Sequence, residues 1–407
     1  MRTLMVCPDL PAPPTSGGRV RTFHLLRELG RRHEVDVLAP CLPEPEAIEA
    51  SRAICRHLWV FPVAPERAVE RWSLQARSLL VGRLHHPRPE VQVALARALE
   101  TRPYDILHLI TPYLVPSLPR AARRPPVVVD FLGTSLGAWR DVALAPRLGA
   151  RLRRMARWSA AVRGERWVLR RVDAAFAISE TDRQYLQRLA PTRRIHVVPS
   201  GVDTDYFAPQ PEPEEDRRLA FVGDMSFPPN VDGARYLART ILPRLRSRVP
   251  GVRVWLVGQH PAPEVRALAA DPAITVTGAV PDVRPYIARA AVVVIPLRGG
   301  SGIRNKTLEA MAMGRPIVTM AMGVEGLDVI PGTELLVTDD PDEFAGAVAD
   351  LLGSPARRAA MGKAARDRVE TTYRWEASVR RVEAVYAELA ARRDGRPCPD
   401  TDPDRSA

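Results

Sequence analysis

The sequence predicts an α/β protein built from two doubly wound parallel-sheet domains in tandem. Three observations predict it. Short apolar runs alternate with segments of helical spacing, as in βαβ units. That alternation stops at a polar stretch, "APQPEPEEDRR" (208–218), and then restarts. A chain of 407 residues is also long for one core and comfortable for two.

The elements follow in order. "TLMVCP" is a short apolar strand, "DLPAPPTSGG" a loop, and "RVRTFHLLRELGRRH" a helix through Val20, Phe23, Leu26 and Leu29, with Gly30 near its end. "EVDVLAP" alternates as a second strand, and "YDILHLI", "PPVVVDFLG", "AAFAIS" and "RIHVVPS" continue the series. After the polar stretch come "RLAFVGDM", a helix from near Asp232, "RVWLVGQ", "ITVTGAV", "AAVVVIPL", "PIVTM" and "ELLVTD". The expected organisation is a first domain over 1–207, a second over 208–375, and a helix over 376–392 able to cross back to the first. A polar tail, 393–407, is expected to hold no stable structure.

Bulk properties narrow the classes. The net charge of +12 is uneven: residues 1–200 carry 32 Arg against 18 acids, and the remainder is slightly acidic. Such asymmetry calls for an anionic partner of the first half. Cys7, Cys41, Cys55 and Cys398 show no CxxC or ligand-like spacing, which argues against a disulfide framework or zinc site and fits a reducing cytoplasm. No run approaches eighteen uninterrupted apolar residues, and the N-terminal apolar run is too short for a signal peptide. "RLRRMARWSAAVRGERWVLRR" (151–171) places eight Arg and one Glu among Leu152, Met155, Trp158, Trp167 and Leu169. It reads either as a solvated helix backed by core tryptophans or as a face for an anionic membrane. Nucleic acid is not expected, because no RRM-like aromatic sequence or zinc-finger spacing accompanies the Arg tracts.

The chemistry concentrates in "GGSGIRNKTLEAMAMGRPIVT" (299–319). A strand leads through glycines into a helix, so unpaired amides and the positive end of the helix dipole await an anion. Gly299, Gly300 and Gly302 allow close backbone approach. Arg304 and Lys306 oppose the helix dipole unless an anion sits there, and Lys306 is one of only two lysines, Lys363 being the other. Glu309 would repel a phosphate, so it suits vicinal hydroxyls such as those of ribose. Phosphate plus ribose implies a nucleotide; a surface helix with ordinary charges remains the alternative. The run from Gly300 through Asn305, Lys306 and Thr307 is one substitution from a phosphate-loop signature, with Asn305 where its second glycine must turn.

These residues, together with "VVPSGVDTDYFAP", "FVGDMSFPPNVDGARYL", "VWLVGQ" and "VTGAVPDVRPYIARAAVVVIPL", resemble a retaining nucleotide-sugar glycosyltransferase of group 1 (family four). The "NKTLEAMAMGRPIV" variant is similar to a bacterial exopolysaccharide/exosortase-associated sugar transferase branch. The resemblance implies the GT-B fold, two Rossmann-like domains facing across a cleft. Glu309 matches the second acid of the family's E-x7-E motif, whereas Ser301 stands where the first acid belongs. The Arg and Lys that usually follow the first strand of the second domain are replaced by Asp224 and Asn230 after Gly223, so Arg304 and Lys306 are expected to supply that charge. By the same resemblance Gly17 and Gly18, Val280, Gly302, Ile303 and Asn305 contact the donor. The usual first-domain histidine is missing, and Asp130 is the catalytic candidate in its place, or else an aspartate capping a loop. His108, inside an apolar alternation, reads as a core or cleft-edge histidine.

The implied reaction moves a sugar from a nucleoside diphosphate sugar to a hydroxyl of a glycan, lipid-linked or small-molecule acceptor. Neither metal nor cofactor is expected; Asp203-Thr-Asp205 mimics a metal motif but lies in the crossover signature, where turn and capping chemistry is expected. The expected location is cytoplasmic or peripheral on the inner membrane face. The departures at Ser301 and the missing histidine keep open a non-catalytic nucleotide-sugar or polyanion binder, beside a GT-B epimerase or a phosphate-loop ATPase.

Overall fold

The computed structural model describes residues 1–41, 44–62, 88–119, 124–137, 148–300 and 304–393. Ser301, Gly302 and Ile303, and all but the first residue of the predicted tail, lie outside the described residues. The chain divides into two compact units. One takes Met1–Ser200 with the helix from Trp375; the other takes Gly201–Gly300 and Arg304–Arg374. The sequence places these divisions at 207/208 and 375/376, whereas the contacts place them at 200/201 and 374/375.

The first unit holds a seven-stranded parallel sheet: β1 (Arg2–Val6), β2 (Glu34–Cys41), β3 (His57–Pro62), β4 (Ile106–Leu109), β5 (Val127–Phe131), β6 (Ala174–Ala177) and β7 (Ile195–Val197), in the order 3-2-1-4-5-6-7. The central strands are buried on both faces, Leu4, Met5 and Val6 at 0% exposure and β5 buried throughout, which is why they read as near-continuous apolar runs, interrupted in β5 by Asp130. β3 is absent from the sequence reading. It is an edge strand, half-exposed along most of its length, and "HLWVFP" shows no clean alternation.

One face of this sheet is covered by helix Gly17–Gly30 and by the C-terminal helix Trp375–Arg393. Trp375, Val379, Val382, Tyr386 and Leu389 form a stripe at helical spacing that enters the same core as Met5, Leu25 and Leu26. Trp375 stacks on His24 with ring centroids 5.0 Å apart.

The second unit holds six parallel strands: β8 (Glu215–Val222), β9 (Arg253–Val257), β10 (Ile274–Gly278), β11 (Ala290–Ile295), β12 (Ile317–Thr319) and β13 (Leu336–Val337), in the order 10-9-8-11-12-13. All six match apolar runs read from the sequence. The order reverses between β8 and β11, so the loops leaving their carboxyl ends border a crevice where ligands bind in such sheets. Helix Pro228–Tyr236 follows β8 and helix Asn305–Ala312 follows β11. The first begins four residues before the Asp232 expected from periodicity, because Pro228 and Pro229 fit its first turn.

The polar stretch 208–218 is not a free linker: β8 starts inside it, at Glu215. Glu214 pairs with Arg315 and Arg358, and Glu215 with Arg218 and Arg289, so the acids clamp this strand to its neighbours. Asp203 accepts hydrogen bonds from the amides of Asp205 and Tyr206, and Asp205 pairs with Arg374. That is the turn chemistry expected of the Asp-x-Asp decoy.

Candidate functional site

The switch point of the second unit gathers the chemistry. β8 ends at Val222, and Gly223 donates its N–H to the Val257 carbonyl. A Cβ on Gly223 would lie 2.7 Å from Asn230 Nδ2 and 3.0 Å from Lys306 Nζ. A larger residue there would push both side-chain ends aside, and its absence lets the ammonium reach the strand end. The next strand contributes Gly258, which also excludes a side chain: its φ is +149°, and a Cβ there would collide with the Gly223 carbonyl oxygen.

Lys306 sits in the first turn of helix Asn305–Ala312, its Nζ donating to Asn230 Oδ1 and lying 4.8 Å from the centre of the Phe221 ring. Burial pushes its pKa down to about 7, with Arg304 adding to the shift and Glu309 opposing it. Glu309, one turn further on the same face, is pushed up to about 7 by burial, against the pull of Lys306. Water still reaches part of both side chains, which moderates the effect. The Glu309 carboxylate makes no hydrogen bond or ion pair among the described residues, so its lone pairs are open to a ligand. An ammonium and an open carboxylate, one turn apart at a sheet's carboxyl edge, suit a ligand with an anionic part and a hydroxylic part.

The other expected donor contacts divide. Arg304 is 7% exposed and its guanidinium reaches Glu325 at 2.9 Å, with further contacts to Met322 and the Gly300 carbonyl. Its charge is thus shared with Glu325 before any diphosphate is bound. Asn230 is 5% exposed; Nδ2 donates to the Asp224 carbonyl at 2.8 Å and Oδ1 accepts from Lys306, so neither end faces a ligand. Asn305 opens the helix, its Oδ1 buried and receiving no hydrogen bond among the described residues. Val280 follows β10, half-buried against the core. Burial raises the Asp224 carboxyl, but hydrogen bonds from Ser226 and Gln259 outweigh it and hold it below the usual range.

In the first unit, Gly17 and Gly18 open a fourteen-residue helix whose N-cap, Ser16, makes no side-chain cap, leaving first-turn amides for an anion. Asp130 requires correction. It is 0% exposed and receives Arg21 Nε at 3.0 Å and Nη2 at 2.8 Å, a bidentate pair in which Arg21 is equally buried. A carboxylate so enclosed touches no substrate, and it caps no loop either. His108 lies beside it, Nε2 3.8 Å from Asp130 Oδ2 and Nδ1 bonded to the Tyr386 hydroxyl at 2.7 Å. Burial pushes this histidine down to about 4, so it is neutral at ordinary pH. Arg21, Phe221 and Gly258 are not singled out in the sequence reading. Phe221 and Gly258 lie inside the quoted runs "FVGDMSFPPNVDGARYL" and "VWLVGQ", and Arg21 shows only as a cation next to the apolar stripe of its helix.

Among the described residues no group of three or more His, Cys, Asp or Glu could hold a metal ion, and no helix is long and apolar enough to cross a membrane.

Two family models match the chain: Glycosyltransferase Family 4 over residues 15–206 and Glycosyl transferases group 1 over 216–354. A GDP-mannose-dependent alpha-(1-6)-phosphatidylinositol monomannoside mannosyltransferase of Mycolicibacterium smegmatis is 31% identical over 244 residues, which are 54% of this chain and 63% of that protein. The chain thus aligns with under two thirds of that relative's length. Among solved structures, a sucrose-phosphate synthase of Thermosynechococcus elongatus aligns with TM-score 0.73 and 18% identity, over 96% of this chain and 100% of that one. Anabaena HepE in complex with UDP aligns with TM-score 0.65 and 16% identity, over 95% and 99%. With two parallel-sheet Rossmann-like units of the GT-B fold and a family model on each, the chain belongs to the group 1 glycosyltransferases.

Proposed function

We propose that this protein transfers a sugar from a nucleoside diphosphate sugar to an acceptor hydroxyl, with retention of anomeric configuration and without a metal. The observation that carries the reading is the pairing of Lys306, lodged at Gly223, with the open Glu309 carboxylate one turn along the same helix. Lys306 faces the diphosphate and Glu309 accepts from the ribose hydroxyls. The anomeric C–O bond breaks, its electron pair leaves on the diphosphate, and the ammonium stabilises that charge. The acceptor oxygen bonds to the same face of the anomeric carbon, and its proton passes to the leaving phosphate oxygen. That route uses no dedicated protein base, consistent with Asp130 being sealed in an ion pair.

The mannosyltransferase relative supports a lipid-linked or glycan acceptor in cell-envelope synthesis. Helix Leu148–Leu169 supports a peripheral site on the cytoplasmic face of an anionic membrane: Leu152 and Met155 are 53% and 41% exposed among Arg151, Arg153, Arg154 and Arg157. Flotation on phosphatidylglycerol vesicles, lost in phosphatidylcholine and in the Leu152→Asp/Met155→Asp variant, is the expected result; equal binding to both lipids counts against it.

The test of the activity is release of UDP or GDP from nucleotide sugars. Wild type turns over and Lys306→Ala falls about a hundredfold in kcat. A wild type that binds nucleotide yet transfers nothing, even with acceptor mixtures, would favour a binding protein instead.

A further inference from the structure

We propose that Asn230 is a positioning residue that binds no part of the nucleotide and instead holds the Lys306 ammonium at the carboxyl end of β8. The inference rests on reading this site as one for a nucleoside diphosphate.

The geometry is specific. Asn230 is 5% exposed on helix Pro228–Tyr236, and its backbone N–H is bonded to the Phe227 carbonyl at 2.8 Å. Its side-chain Nδ2 donates to the Asp224 carbonyl at 2.8 Å, which settles the orientation of the amide: the oxygen must face the ammonium. Gly223 leaves the space into which both groups fit. A lysine stem has four rotatable carbons and no preferred direction, so an ammonium at a phosphate site needs something to aim it. Here one N–H goes to Asn230 Oδ1 and the Phe221 ring lies alongside, leaving donors for an anion. Lys306 thus brings to the β8 end a cation that its own loop does not carry.

The charged groups around Lys306 are few. Glu309 lies one turn on along the same helix, and Arg304 at its start is countered by Glu325. On the loop after β8, the Asp224 carboxylate is held by Ser226 and Gln259, with His260 at 3.8 Å. Asn230 is therefore the neutral acceptor that stabilises the protonated amine without cancelling its charge. Losing that acceptor favours the neutral amine; a carboxylate in its place favours the ammonium.

The experiment is calorimetric titration of UDP and GDP from pH 6 to 9 into wild type, Asn230→Ala, Asn230→Asp and Lys306→Ala, with thermal denaturation of each. In wild type, affinity for at least one nucleotide falls on the alkaline side as Lys306 loses its proton. Asn230→Ala weakens binding about tenfold and moves that alkaline limb to lower pH. Asn230→Asp moves it up by about one unit or more. A contact to the nucleotide, or a merely structural role, would weaken binding without moving the limb, and that result overturns the inference. If Asn230→Ala does not fold, the direction of the limb in Asn230→Asp decides, and an unmoved limb again overturns it. If wild type binds neither nucleotide, or Lys306→Ala binds as tightly as wild type, the donor-site reading falls and this inference with it. Loss in Lys306→Ala with an unchanged Asn230→Ala removes the inference alone.

Discussion

Lys306 holds its charge against its surroundings. Burial lowers its pKa to about 7, which brings the loss of its proton into the neutral range. A bound diphosphate favours the protonated form, so binding takes up a proton above pH 7. The sign follows for Lys306: its contribution to nucleotide affinity is level below about pH 6 and falls by up to about tenfold per pH unit above 7. In a Glu309→Gln background, where only Lys306 titrates near 7, calorimetry at pH 8 in buffers of different ionisation enthalpy should show net proton uptake; none would count against a neutral Lys306 in the unliganded site. Glu309 makes a separable contribution. Glu309→Gln should weaken UDP by about tenfold without a like loss for inorganic pyrophosphate, because only the nucleotide brings ribose hydroxyls. Equal loss of both ligands would place the carboxylate elsewhere. Asp130 differs in kind. Asp130→Asn strands the Arg21 charge in the core and should cost about 3–5 kcal/mol in chemical denaturation, whereas a catalytic carboxylate would lose turnover at unchanged stability.

The elements that carry these residues were legible to different degrees. All six strands of the second unit, and the helix after β11, follow from apolar runs and a glycine-rich entry, because buried parallel strands admit little else. Glu309 and Lys306 could be read from their spacing on one helix. The Asn230–Lys306 contact could not, since seventy-six positions separate partners that only the order β8–β11 brings together. The Arg21–Asp130 pair was hidden for the same reason, and an Asp at a strand end looks alike whether sealed or open. β3 was missed because an edge strand need not alternate. The glycines after β8 and β9 show how backbone decides the site. Gly258→Ala drives a methyl into the Gly223 carbonyl and imposes a φ of +149° on a residue with a side chain. It should displace the β8 loop, lower the melting temperature by several degrees, and abolish UDP-induced stabilisation in thermal shift. Retained stabilisation would mean that the loop tolerates the change.

The two units draw unequally on the ends of the chain. The second is continuous from Gly201 to Arg374 apart from residues 301–303, and is closed on itself where Val202 N donates to the Tyr373 carbonyl at 2.8 Å and Val202 bridges Arg374. The first is completed from the far end of the sequence: Trp375, Val382 and Tyr386, at 2%, 0% and 0% exposure, fill one face of its core. Ending the chain after Arg374 therefore removes a core layer from a unit nearly two hundred residues away, and leaves the unit containing Lys306 and Glu309 with its own core whole. Lost burial of five large side chains, at about 1.5–3 kcal/mol each, rivals the whole stability of a domain. Limited proteolysis of the shortened chain should then degrade residues 1–200 and spare a fragment near 201–374. If nucleotide recognition resides in that fragment, it should still show a UDP- or GDP-dependent rise in melting temperature. Protection of both halves would show that the C-terminal helix is an accessory to the first core, and loss of both would show that the second unit needs the first in order to fold.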